Sequence, residues 1–118
     1  ALRGGEADLS TTNTSLAISA PAQGAALVMF DMAYILYNEQ TDSSSKLFAH
    51  MALALDPNLT EARILLGDIM ARNGRLQDSI AMFLSVPPAH ESYIEARRYA
   101  ATLQAEAGEK DEARATLT

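Results

Sequence analysis

Apolar residues recur three and four positions apart along most of the chain, the spacing that gathers them on one face of a helix. The clearest run is Ile64, Leu65, Ile69 and Met70, and the stripe resumes in Leu76, Ile80, Phe83 and Leu84 after a polar break. That break, Asn73-Gly74-Arg75, is one of three turn-like sites, the others being Gln40-Thr41-Asp42 and Gly108-Glu109-Lys110. They share one interval: 34 residues separate Gln40 from Gly74 and Gly74 from Gly108. A longer helical pattern precedes each site, over Ala26 to Glu39, Thr60 to Asn73 and Ile94 to Ala107, and a shorter one follows. The spacing predicts three helix-turn-helix units, about 26–59, 60–93 and 94–118, six helices in all.

Local chemistry agrees with these boundaries. Asp56-Pro57-Asn58 closes one helix and opens the next, and Pro87-Pro88 must stop a helix because proline has no amide donor and restricts its predecessor. Gly74 and Gly108 supply the left-handed conformation that commonly ends a helix. Residues 1–22 fit the pattern less well: Arg3-Gly4-Gly5 and the polar run Ser10 to Ser15 interrupt any long period, leaving only Leu9, Leu16 and Ile18 as anchors. This segment is expected to be irregular, with the first helix starting near Pro21 behind a Ser19 cap.

A 34-residue helix-turn-helix period resembles the tetratricopeptide repeat, over about residues 23 to 118. The middle unit carries the resemblance best, with Leu66-Gly67 as the large-small pair of the first helix, Gly74 in the turn, Ser79 as the small residue of the second helix and Phe83 as its aromatic. The first unit offers Met32-Ala33, Ser45, Ala49, Ala52 and the ending Leu55-Asp56-Pro57; the third offers Ala100-Ala101, Gly108, Ala113 and Leu117. Ala33, Gly67, Ser79, Phe83, Ala101 and Ala113 are therefore the expected packing residues, most of them small so that paired helices can approach closely. Two departures stand out. The bulky residue expected early in the first helix is Met29 in unit one but Arg63 and Arg97 in the others, and Gln40 stands where the turn calls for glycine. The resemblance implies an all-α solenoid of stacked antiparallel helix pairs.

Composition narrows the function. Of 118 residues, 48% are hydrophobic and only 6% aromatic, with no Trp, which favours helix over strand. A formal net charge of −6 opposes a phosphate backbone, so nucleic acid is not expected as a partner. Cysteine is absent, which removes disulfides and thiolate chemistry. No apolar run approaches a membrane span, so no membrane insertion is expected. The chain begins at Ala1 without an initiator Met and ends at Thr118 inside a helical pattern, which reads as part of a longer protein. The expectation is a soluble protein of bacterial cytoplasm or periplasm, the bacterial attribution resting on overall resemblance.

Candidate chemistry has structural explanations. His50 and His90 lie on different units without a second ligand at helical spacing. Ser43, Ser44 and Ser45 precede a lysine but lack a glycine-rich loop, and Ser45 falls where the repeat wants a small residue. Asp111-Glu112 occupies a first helical turn, where the helix dipole favours negative charge. Met29, Met32, Met51, Met70 and Met82 fall in apolar stripes and are expected to fill the core. No catalytic, cofactor or metal site is expected, and the chain is not expected to be an enzyme.

In the family it resembles, the first helices of successive units build a concave wall that receives a peptide. Carried over, this wall presents Leu27, Phe30, Tyr34, Tyr37 and Asn38 from unit one, Glu61, Ile64, Asp68, Ala71 and Arg72 from unit two, and Glu95, Arg98, Thr102 and Glu106 from unit three. Aromatic and arginine side chains are the usual interface anchors, so Phe30, Tyr34, Tyr37, Asp68, Arg72 and Arg98 are the candidate peptide-binding residues. The family's carboxylate clamp is not expected, because among its matching positions only Arg98 fits and Asp68 would repel a carboxylate. The resemblance thus implies a protein-interaction scaffold. The alternative is a structural or self-associating element, a homodimer joined through exposed repeat ends such as Ala113 to Leu117.

Overall fold

The computed structural model describes residues 6–118, with side chains described from residue 21 onward. Six α-helices follow one another: α1 (Glu6–Asn38), α2 (Asp42–Leu55), α3 (Thr60–Arg72), α4 (Leu76–Leu84), α5 (Tyr93–Glu106) and α6 (Lys110–Leu117). Among the described residues there is no strand.

The expectation of an irregular segment before Pro21 is corrected by α1, whose backbone is helical from Glu6 through Pro21 to Asn38. Between Glu6 and Ala20 there is neither Gly nor Pro. Ser, Thr and Asn each cost only a few tenths of a kcal/mol in a helix, so the polar run lowers propensity without supplying a stop. Pro21 removes one backbone hydrogen bond and the helix passes through it. Residues 1–5 and the side chains of Leu9, Leu16 and Ile18 lie outside what the structure describes.

The 34-residue interval is written into the backbone. Among the described residues, those with positive φ are Gln40 (60°), Gly74 (79°) and Gly108 (84°). Each donates its amide three residues back, to Tyr37, Ala71 and Ala105, and the next residue reaches five back, from Thr41 to Leu36, Arg75 to Met70 and Glu109 to Gln104, at 2.8–2.9 Å. These turns satisfy the last carbonyls of the first helix of each pair and fold the second back along it. Gln40 takes the left-handed conformation without glycine's freedom, at a cost of roughly 1–2 kcal/mol. Gln40→Gly is therefore expected to raise unfolding stability by about 1 kcal/mol in urea titration, and an unchanged or lower midpoint would show that the turn carries no strain.

Within each pair the small residues sit where the helices cross. The Ser45 hydroxyl donates to the Ala33 carbonyl at 2.6 Å and the Ser79 hydroxyl to the Gly67 carbonyl at 2.6 Å, both buried. In the third pair the same places hold Ala101 and Ala113, both buried and without the hydroxyl. An ideal Cβ on Gly67 would lie 2.9 Å from Phe83 Cζ, so the glycine makes room for the ring. All six expected packing residues, Ala33, Gly67, Ser79, Phe83, Ala101 and Ala113, are buried.

Helices touch their sequence neighbours, and α1 also reaches α3. One core cluster joins Ala33 and Ala49 of the first pair to Leu65, Leu66, Ile69 and Met70 of α3. Another joins Ile80, Phe83 and Val86 to Ala96, Ala100 and Leu103 of α5. The two junctions divide volume in opposite ways. Ala49 and Phe83 hold equivalent places on the second helices, as do Leu66 and Ala100 on the first helices that follow. Small meets large in one cluster and large meets small in the other, the complementarity that close packing of an interior requires.

Arg63 and Arg97, which stand where a bulky apolar residue was expected, act through hydrogen bonds. Arg63 donates to the carbonyls of Pro57 at 2.6 Å and Ser85 at 3.2 Å, and Arg97 donates to Thr116 at 2.9 Å. Both guanidinium groups thereby supply donors to carbonyls at or beside the end of the following second helix. Of the methionines, Met70 is buried and Met29 and Met82 half-buried, but Met32 and Met51 are exposed, so the expected core filling does not extend to those two.

Candidate functional site

One face of α1 carries three aromatic rings a turn apart. Phe30 and Tyr34 stack with centroids 6.2 Å apart, and Tyr34 and Tyr37 at 6.4 Å, their planes within 19° and 15° of parallel. The i, i+4 and i+3 spacing produces the ladder, and the crossing of α1 with α3 sets Glu61, Ile64, Leu65 and Asp68 opposite it. With Ser92, these residues line an open groove of about 310 Å³. Tyr34 is half-exposed at its lip, while Phe30 and Tyr37 pack against the core.

The groove has an apolar wall and an acidic rim. The Tyr37 hydroxyl donates to Asp68 Oδ2 at 2.8 Å. Burial, then the hydrogen bond to Asp68, push the Tyr37 phenol above its ordinary value, so it stays a neutral donor. Glu61 lies across the groove, with His90 Nε2 at 3.6 Å from its Oε2. His90 Nδ1 accepts from the Ser92 amide at 3.0 Å, which fixes the ring beside the groove.

Arg72 is engaged at the end of this wall. Its guanidinium lies 4.0 Å from the Tyr37 ring centroid, donates to the Tyr37 carbonyl at 3.2 Å and forms a two-pronged pair with Asp42. The hydrogen bond to Asp42 holds the guanidinium above its ordinary value. Arg72 thus ties the end of α3 to the α1–α2 turn and supports the tyrosine that faces the groove. Arg98 lies elsewhere, lining a separate groove between α5 and α6. Of the six candidates, Phe30, Tyr34, Tyr37 and Asp68 share one groove, Arg72 stands behind it and Arg98 apart from it.

No family model matches the chain, and no curated protein matches it.

Ser92, Leu65 and His90, the last of them beside Glu61, were not among the sequence candidates for this groove. Ser92 and His90 come from the connection between α4 and α5, where Pro87-Pro88 ends the regular pattern, so helical spacing says nothing of their position. The path there is set by turns in which His90 donates to the Pro87 carbonyl and Tyr93 to the His90 carbonyl, each at 3.0 Å. Among the described residues no group of three or more metal-ligating side chains forms, and no helix is long and apolar enough to cross a membrane. His50 lies on α2 away from this groove; its partial burial, and then Lys46, lower its pKa.

Proposed function

We propose that the chain is a non-catalytic interaction scaffold of the helical-repeat kind, similar to tetratricopeptide proteins, with its helix pairs stacked as a solenoid. It binds a polypeptide segment in the groove between α1 and α3. The observation that carries this reading is the convergence of Phe30, Tyr34, Tyr37 and Asp68 on one open groove. Aromatic rings held by their neighbours give large contact area at little entropic cost, and Tyr is among the commonest hot-spot residues. Glu61 and Asp68 set the preference: an incoming segment should offer an aliphatic or aromatic anchor to the rings and a Lys or Arg to the carboxylates.

Selection of displayed random peptides on the full chain tests this. Enrichment of segments pairing an apolar anchor with a basic residue is expected. Tyr34→Ala should weaken the best of them by about 30-fold, the loss of one hot spot worth about 2 kcal/mol. Tyr34 is half-exposed, so its removal should leave the fold intact. Equal affinity for the variant, or selected peptides without a basic residue, would overturn the assignment.

A further inference from the structure

Among the described residues, two surfaces related by the repeat are left open. At 34-residue spacing, Val28, Met32 and Ile35 of α1 correspond to Ala62, Leu66 and Ile69 of α3 and to Ala96, Ala100 and Leu103 of α5. The residues on α3 and α5 are all buried, whereas Val28, Met32 and Ile35 are 57%, 40% and 51% exposed. At the other end, α5 and α6 enclose an open groove of about 520 Å³ whose lining includes Arg98, Ala101, Ala105, Lys110, Arg114 and Leu117. Thirty-four residues earlier stand Ile64, Gly67, Ala71, Leu76, Ile80 and Phe83. All of these except Gly67 pack in or against the cluster that holds Ala96, Ala100 and Leu103 of α5. The groove therefore has the form of a seat for a first helix, and α1 presents the face that such a seat receives.

Charge distinguishes these two ends from the internal junctions. The groove carries Arg98, Lys110 and Arg114 where the preceding unit has Ile64, Leu76 and Ile80. On α1, Asp31 is exposed amid Val28, Met32 and Ile35, and exposed Glu39 lies one turn further on; Leu65 and Tyr99 hold the place of Asp31 in the later units. Basic groove against basic groove, or acidic face against acidic face, would repel, while one against the other attracts. Leu117 occupies the place of Ala49 and Phe83, and Met32 that of Leu66 and Ala100, so the pair takes the register positions that share a core cluster at both internal junctions.

We infer that α1 of one copy of this chain seats in the α5–α6 groove of a second copy, Met32 against Leu117, giving head-to-tail association. This develops the self-associating alternative and is independent of what fills the groove at Tyr34. A heterologous contact of this kind does not close on itself, so association is open-ended.

Sedimentation equilibrium of the full chain over a wide concentration range tests it. The weight-average mass of the unaltered chain should climb past that of two chains. Met32→Glu and Leu117→Asp each place a charge on an exposed apolar residue, which should leave helical circular dichroism unchanged and weaken self-association at least about tenfold. An equimolar mixture of the two retains one intact face and one intact groove, and should form a one-to-one pair and stop there. A monomeric unaltered chain, a mixture that stays monomeric, or either variant dimerising by itself through a symmetric contact would overturn the inference. Peptide binding by both variants should persist, which separates failure here from failure at the Tyr34 groove.

Discussion

Phe83→Ala is expected to lower unfolding stability by about 3–5 kcal/mol, the usual cost of emptying a buried aromatic site. The ring is 2% exposed and spans a junction. On one side it covers Gly67, whose missing Cβ is what admits it; on the other it meets the α5 row of Ala96, Ala100 and Leu103, and Tyr99 tilts against it with centroids 5.3 Å apart. Gly67, Ala96 and Ala100 have no side chain long enough to fill the void, so the transfer energy is lost and a cavity is left. Urea titration followed by circular dichroism reads the effect. Gly67→Ala should be poorly tolerated with Phe83 present and accepted in the Phe83→Ala background, where the new Cβ no longer meets the ring. A loss under about 1 kcal/mol for Phe83→Ala would mean that the α4–α5 junction is not a packed core.

Leu66→Ala should cost about 2–5 kcal/mol, although Ala100 occupies the equivalent place one unit later. The equivalence is misleading because the opposing residue differs. Leu66 faces the cluster with Ala49, a small residue, so truncation leaves two alanines across a gap; Ala100 faces Phe83, which fills the same space from the other side. Loss of the urea transition midpoint at unchanged slope would report this as a stability effect, while a near-neutral Leu66→Ala would show that register alone governs these positions.

Much of this fold is legible in the sequence because its determinants are local. The turns at Gln40, Gly74 and Gly108 follow from residues within five positions, and glycine announces two of the three. Gln40 carries no such signal, and only its 34-residue distance from Gly74 marks it. The packing residues are legible for the same reason: a small side chain at a fixed offset from each turn is needed wherever two helices cross closely. Residues 6–20 mislead because a run of Ser, Thr and Asn lowers helix propensity by only a few tenths of a kcal/mol per residue and supplies no stop. The aromatic ladder Phe30, Tyr34 and Tyr37 could be read from spacing within α1. Glu61 and Asp68 opposite it follow only from the family resemblance, and the position of Ser92 could not be read at all, because it depends on the path of an irregular connection.

By itself, the sequence determined that the chain is helical, that its turns fall at one interval, and that small residues line the crossings. These rest on backbone conformational preference and apolar periodicity, which act over a few residues. The tertiary structure alone decided which large residue meets which small one at each junction, that Arg72 is committed to Asp42 and Tyr37, that Arg98 stands apart from the aromatic groove, and which apolar rows remain uncovered. Each of these depends on contacts between residues far apart in the chain, where the same register position is buried or exposed according to what lies against it.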